Sequence, residues 1–119
     1  MLRPSGSLTV YLYSGVVDMR KSIDGLSLLV EQGMDLSPFS AAVFVFANRQ
    51  RDKVKLLLWE RNGFVLWYKR LEKQRFCWPR DAGDAVSVQL SLTELNYLLD
   101  GLDIFNNQPH KALNYCAVS

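Results

Sequence analysis

The sequence predicts a small α+β fold: a mainly antiparallel sheet of four or five strands, with a first helix packed on one face and a second at a face or an edge. Three observations carry this expectation. Short runs rich in Val, Phe, Tyr and Trp recur at Thr9–Tyr13, Ala42–Phe46, Lys53–Trp59 and Phe64–Leu71. The last two are separated by Glu60-Arg61-Asn62-Gly63, and Asn-Gly between apolar runs is the strongest short-range hairpin signal. Two further segments carry apolar residues at helical spacing.

In chain order, TVYLY at Thr9–Tyr13 alternates and is rich in strand formers, so it forms a short strand that Ser14-Gly15 ends. Asp18 reads as the N-cap of a helix in which Met19, Ile23, Leu26 and Val30 make one apolar stripe that packs on a sheet, with Gly33 a natural stop. Arg20 and Lys21 then fall in the first turn, where the macrodipole disfavours cations by roughly a few tenths of a kcal/mol each. An Arg20–Asp24 pair at i, i+4 and a phosphate contact at the helix N-terminus explain them about equally well.

Ala42–Phe46 is a continuous apolar run too short for a helix and reads as a buried strand, followed by a polar loop, Asn48–Asp52, carrying Arg49 and Arg51. The Asn62-Gly63 pair suits a type I′ turn, because both residues accept positive φ. Whether the loop has two or four residues, the pairing sets the faces of the hairpin. One face carries Val54, Leu56, Leu58, Val65, Trp67 and Leu71. The other carries Lys53, Lys55, Leu57, Trp59, Phe64, Leu66, Tyr68 and Arg70, apolar near the turn and basic at the far end. A sheet apolar on both sides needs helices on both sides, a second subunit or a ligand. Val86, Val88 and Leu90 suggest a short fifth strand. Ser91-Leu92-Thr93-Glu94 is a capping box, after which Leu95, Leu98, Leu99 and Leu102 form a narrow stripe that Gly101 ends. Residues 1–105 are thus expected to form a single α+β domain, with 106–119 a tail, mobile or docked on a neighbour.

The chain has 119 residues, 49% hydrophobic and 22% charged, which suits one globular domain. It has no run of eighteen apolar residues, and MLRPSGSLTV lacks the features of a signal peptide, so a cytoplasmic protein without a membrane segment is expected. Cys77 and Cys116 form no CxxC pair and His110 is the only histidine, so metal-ligand spacing is absent. Both cysteines read as free thiols, Cys77 as a packing residue. The formal net charge of +2 conceals an asymmetry: ten cations stand against three acids between Arg49 and Arg80, whereas Asp81 to Pro109 holds five acids and no cation. A basic middle and an acidic end point to a polyanion or to electrostatic docking on another protein.

The opening strand and SG turn, DMRKSIDGL at Asp18–Leu26, VFVFANRQRDKVKLLLWERNGFVLWYKRLEKQRFCWP at Val43–Pro79 and LTELNYLLDGLD at Leu92–Asp103 together resemble a known family. These are the TnpB-type accessory proteins encoded by the second open reading frame of the bacterial insertion-sequence family sixty-six, which are unrelated to the RNA-guided nucleases that share the letters. The resemblance covers nearly the whole chain apart from the tail. It implies a role in transposition beside two partners, a small first-frame protein and a large third-frame transposase that would hold the catalytic carboxylates. It supplies no site residues.

Chemistry of its own is not expected of this chain. Strand transfer needs several carboxylates gathered around two metal ions about 4 Å apart, and Asp18 and Asp24 lie on roughly opposed sides of the expected helix. No GxSxG, P-loop or HExxH motif is present. No catalytic residue, metal site or cofactor is therefore assigned. The basic hairpin remains. On the plainest reading its cations are solvated and blunt an exposed strand, but that leaves the basic loop NRQRDK, the segment KRLEKQR and the pair Arg20 and Lys21 unexplained. The expected function is a non-enzymatic accessory subunit that contacts DNA phosphates, at the element's ends, through Arg20, Lys21, Arg49, Arg51, Lys53, Lys55, Lys69 and Arg70. Of the aromatics Trp59, Phe64 and Tyr68, the first two are assigned to base stacking or partner packing. The alternative is a protein-interaction adaptor that docks, or forms a homo-oligomer, through the doubly apolar hairpin without contacting DNA.

Overall fold

Ala42–Ala47 contains no polar side chain, and in the computed structural model, which describes residues 8–79 and 84–105, all six residues are buried at the centre of a five-stranded sheet. The elements are β1 (Thr9–Val16), α1 (Ile23–Gly33), β2 (Ala42–Ala47), β3 (Lys53–Glu60), β4 (Gly63–Arg70), β5 (Ser87–Leu90) and α2 (Leu92–Leu99), and the strand order is β4-β3-β2-β1-β5. The anticipated tail, 106–119, lies outside the described residues.

Three of the four strand pairings are antiparallel, and β1–β2 is parallel. The parallel pair follows from connectivity, since a chain that leaves β1, forms α1 across the sheet and returns re-enters in the same direction. The sheet is therefore mixed though mainly antiparallel. Strand β1 runs three residues beyond the expected stop, with a register irregularity between Leu12 and Val16 that absorbs the Ser14-Gly15 pair. A Cβ at Gly15 would meet the far end of the Tyr13 side chain at 2.8 Å, so the ring lies over this position and would have to shift for a larger residue.

Alternation along β2 and β3 sends apolar side chains to both faces, and each face is covered by a helix. On one side, Leu26 and Val30 of α1 pack over Phe44, Phe46 and Leu57, with Phe64 and Leu66 of β4 at the margin. On the other side, Leu95, Leu98 and Leu99 of α2, with Phe76 and Trp78, pack over Val43, Val45, Val54 and Leu56. The hairpin register puts Trp59 opposite Phe64 and Lys53 opposite Arg70, so its two faces are those read from the sequence.

At eight residues α2 is too short to persist in isolation, and its ends are secured. Ser91 Oγ accepts from Glu94 N–H at 3.1 Å while Glu94 Oε1 accepts from Ser91 N–H at 3.0 Å, the expected capping box. At the other end Gly101 adopts φ 82°, its N–H donating to Leu98 O and Leu102 N–H to Tyr97 O, a Schellman closure.

Three local expectations are corrected. Asp18 does not cap α1: the helix begins at Ile23 with Ser22 in the cap position, and Met19, Arg20 and Lys21 form a turn before it. Asp18 Oδ1 takes the Arg20 N–H at 2.9 Å and Asp18 O takes the Lys21 N–H at 3.0 Å, closing a separate turn ahead of the helix. Arg20 accordingly escapes the macrodipole and pairs with Asp18, not Asp24. The hairpin turn is not type I′, since Glu60 pairs with Gly63 and the positive φ of 57° falls on Arg61, with Asn62 N–H donating to Glu60 O at 2.6 Å. Finally, Cys77 is 3% exposed and disulfide-bonded, not a free thiol; spacing along the chain had excluded a CxxC site, but it does not limit which sulfur a buried cysteine reaches in space.

The Schellman closure gives a direct check. Gly101→Ala forces a side chain into the left-handed region and is expected to lower stability by about 1–2 kcal/mol, measured as a fall in the urea midpoint with an unchanged slope.

Candidate nucleic-acid interface

The topology collects the cation-rich connections at one end of the sheet. There β1 and β2 finish, β3 begins and β4 finishes, so Asp18–Lys21, Asn48–Asp52 and the segment after Arg70 emerge side by side. Backbone hydrogen bonds fasten them. Val17 N–H donates to Ala47 O at 2.9 Å, Leu71 N–H to Asp52 O at 2.8 Å and Phe76 N–H to Arg51 O at 2.7 Å. Asn48, itself buried, organises the loop: its amide donates to Asp52 Oδ1 at 2.6 Å and its Oδ1 accepts from Lys53 N–H at 3.1 Å. The Asn48 bond, as the largest cause, holds the Asp52 carboxyl below its ordinary pKa.

Three of the eight candidate cations are engaged inside the molecule. Lys55 is only 8% exposed, and its Nζ donates to Met19 O at 2.7 Å and Lys21 O at 2.8 Å while lying 5.5 Å from the Tyr68 ring centroid. It ties the turn before α1 onto the sheet. Lys69 Nζ donates to Leu99 O at 2.8 Å, supplying a cation to the carbonyl end of α2, where the helix dipole favours it. Arg51, at φ 62°, lays its guanidinium 5.1 Å from the Trp78 ring. Its Nη1 is buried without a hydrogen-bond partner, and desolvation lowers its pKa.

The other five face water. Lys21 and Arg49 are exposed. Arg20 pairs with Asp18 at 2.7 Å, Arg70 with Glu72 at 2.9 Å and Lys53 more loosely with Asp52 at 3.8 Å. Lys53 and Arg70 are direct cross-strand partners, so their like charges are held side by side. Beside them Tyr68 is 50% exposed, and with Arg70 and Glu72 it lines a shallow depression of about 260 Å³.

Trp59 and Phe64 are not part of this group. They meet edge-on, 5.0 Å between centroids, at the turn end of the hairpin, where the exposed Phe39 ring lies 5.0 Å from Trp59 and 5.4 Å from Phe64. Phe64 and Arg70 stand six positions apart along the strand, about 20 Å. The aromatic that the fold places among the cations is Tyr68. Exposed Lys73 and Arg75 also follow β4 at this end, and their inclusion was signalled only by the general basicity of KRLEKQR. Among the described residues no group of His, Cys, Asp and Glu could hold a metal ion, and no helix is long and apolar enough to cross a membrane.

Comparison with known proteins adds a family. The model of the IS66 Orf2 like protein family matches residues 8–109. Two curated relatives from Sinorhizobium fredii (strain NBRC 101917 / NGR234) are similar: uncharacterized protein y4hO is 36% identical over 101 residues, spanning 84% of this chain and 86% of the relative. Uncharacterized protein y4jC is 30% identical over 103 residues, spanning 87% and 86%. No solved structure matches.

Two measurements probe the site's construction. Lys55→Met keeps the apolar stem but removes two charge-assisted hydrogen bonds to the Met19 and Lys21 carbonyls, so a loss of about 2 kcal/mol is expected, with faster amide exchange at residues 18–24. The Arg20 side chain first, then its backbone N–H, lowers the Asp18 pKa from the ordinary 3.8 to about 2. A carboxyl depressed in the folded state contributes stability that is present above about pH 4 and is lost as pH falls through about 2. Carboxyl NMR is expected to show Asp18 titrating near 2 and moving toward 3.8 in Arg20→Ala.

Proposed function

The chain belongs to the IS66 Orf2-like family, and from that premise we propose that it serves an insertion-sequence element as a non-enzymatic accessory subunit that binds DNA phosphates through the basic end of its sheet. The observation that carries the reading is the convergence of Arg20, Lys21, Arg49, Lys53 and Arg70 from two connections and two strands onto one end. Lys55, Lys69 and Arg51 support this end from within.

The arrangement suits phosphate contact better than base reading. Arg20 and Arg70 are held by carboxylates in solvated, weak pairs that a phosphate can displace, and Tyr68 offers a ring face on which an unpaired base stacks. Element ends are the expected DNA, the first-frame protein and the large transposase the expected companions, and the cytoplasm, where the element's DNA lies, the expected compartment. The catalytic carboxylates belong, on this reading, to the transposase. The adaptor reading draws on a different observation, the ring cluster of Phe39, Trp59 and Phe64, of which Phe39 is 56% exposed. Elsewhere on the hairpin, helices meet the need for cover that a partner was invoked to fill.

Fluorescence anisotropy with terminal-repeat and random duplexes across a salt series tests the proposal. Affinity is expected to fall with salt, and Lys21→Ala with Arg49→Ala to weaken both duplexes alike and reduce the logarithmic salt slope by about 2. A slope near zero, or no binding at low salt, discards DNA contact in favour of the adaptor.

A further inference from the structure

The two edges of the sheet differ. Strand β5 has four residues, whereas β4 has eight, GFVLWYKR, in unbroken register with β3 and with none of them buried. β4 has no bulge and no proline and is not short, and its protecting charges, Lys69 and Arg70, stand only at its last two positions, leaving Phe64–Tyr68 without one. Its hydrogen-bonding direction follows from the register. Leu71 N–H donates to Asp52 O, so the odd-numbered residues turn their backbone groups toward β3. Phe64, Leu66, Tyr68 and Arg70 therefore turn N–H and C=O outward, a ready template for one more strand.

We propose that this edge takes the β4 strand of a second copy, antiparallel about a two-fold axis at Leu66, to make one continuous sheet. The charge pattern of β4 selects this occupant. In that register Leu66 faces Leu66 of the second copy, Phe64 faces Tyr68 and Val65 faces Trp67, so every central pair is apolar. Lys69 falls opposite Gly63 and Arg70 opposite Asn62, so each cation meets a neutral turn residue. A parallel pairing would instead set Lys69 and Arg70 alongside their own copies, like charge against like. About six backbone hydrogen bonds form across the axis, two for each outward-facing pair. The inference stands apart from DNA binding, and either can fail without the other.

Sedimentation across a concentration series, with amide exchange at both ends of that series, is the test. The mass is expected to rise from 13.6 kDa to twice that value, and the amides of Phe64, Leu66 and Tyr68 to gain protection in step with it. Leu66→Pro removes an outward N–H only, the setting in which an edge strand tolerates proline; it is expected to keep the wild-type circular dichroism and remain monomeric. If Leu66→Pro fails to fold, the wild-type amides decide. A monomer at every concentration, a dimer whose three edge amides exchange as in the monomer, or a folded Leu66→Pro that still dimerises overturns the proposal. A chain that is monomeric alone but gains edge protection with the large transposase also overturns it, in favour of a partner's strand.

Discussion

The constraint on which the molecule depends is that β2, and most of β3, is apolar on both faces. Successive strand residues point to opposite sides, so Val43 and Phe44 cannot both be satisfied by one layer of cover. With α1 on one face and α2 on the other, polar residues are excluded from the middle of the sheet and displaced to its ends. The β1–α1–β2 crossover then makes β1 and β2 parallel, which brings their C-terminal ends to the place where β3 starts. Burial thus dictates where the charge collects.

Lys55 is the exception that this arrangement accommodates. Its position on β3 points to the α1 face, where an apolar residue would be expected, yet it holds two carbonyl oxygens of the turn that precedes the helix. Burying an ammonium is costly unless its donors are used, and here the carbonyls and the Tyr68 ring use them. The same contact fixes the Arg20–Lys21 turn over the basic end, so an internal cation positions external ones. Lys69 does a comparable service for α2, donating to its last carbonyl oxygen.

Much of this was legible from spacing alone. The hairpin faces, the capping box at Ser91, the Gly101 stop and the buried character of Ala42–Phe46 follow from rules of period two and of helix ends, which act over a few residues and tolerate little alternative. What sequence could not separate was cations of identical type and similar neighbourhood. Lys53 and Lys55 differ by two positions on the same face, and only the distant Met19 and Lys21 carbonyls distinguish a solvated lysine from a buried one. The start of α1 was misplaced for a related reason. Asp18 is a good cap, but its oxygens serve a turn, and nothing in DMRKS says which of two local hydrogen-bond patterns prevails. Trp59 and Phe64 were grouped with the cations because they share a hairpin face, although a strand's length divides them.

Strand β1 lies between β2 and β5, and Trp78 donates its indole N–H to Tyr13 O at 2.9 Å. Strand β1 is therefore enclosed by elements that lie much later in the chain. Its inner edge can pair once β2 has emerged, but its outer edge waits for β5, which arrives only after the whole hairpin has been made. Without β5 and α2 the sheet would lack cover on the outer edge of β1 and on the face that α2 packs against. Among the described residues, β5 and α2 thus complete a core whose opposite partner, β1, lies about seventy residues earlier, and pairing at such separation is the kind that slows folding.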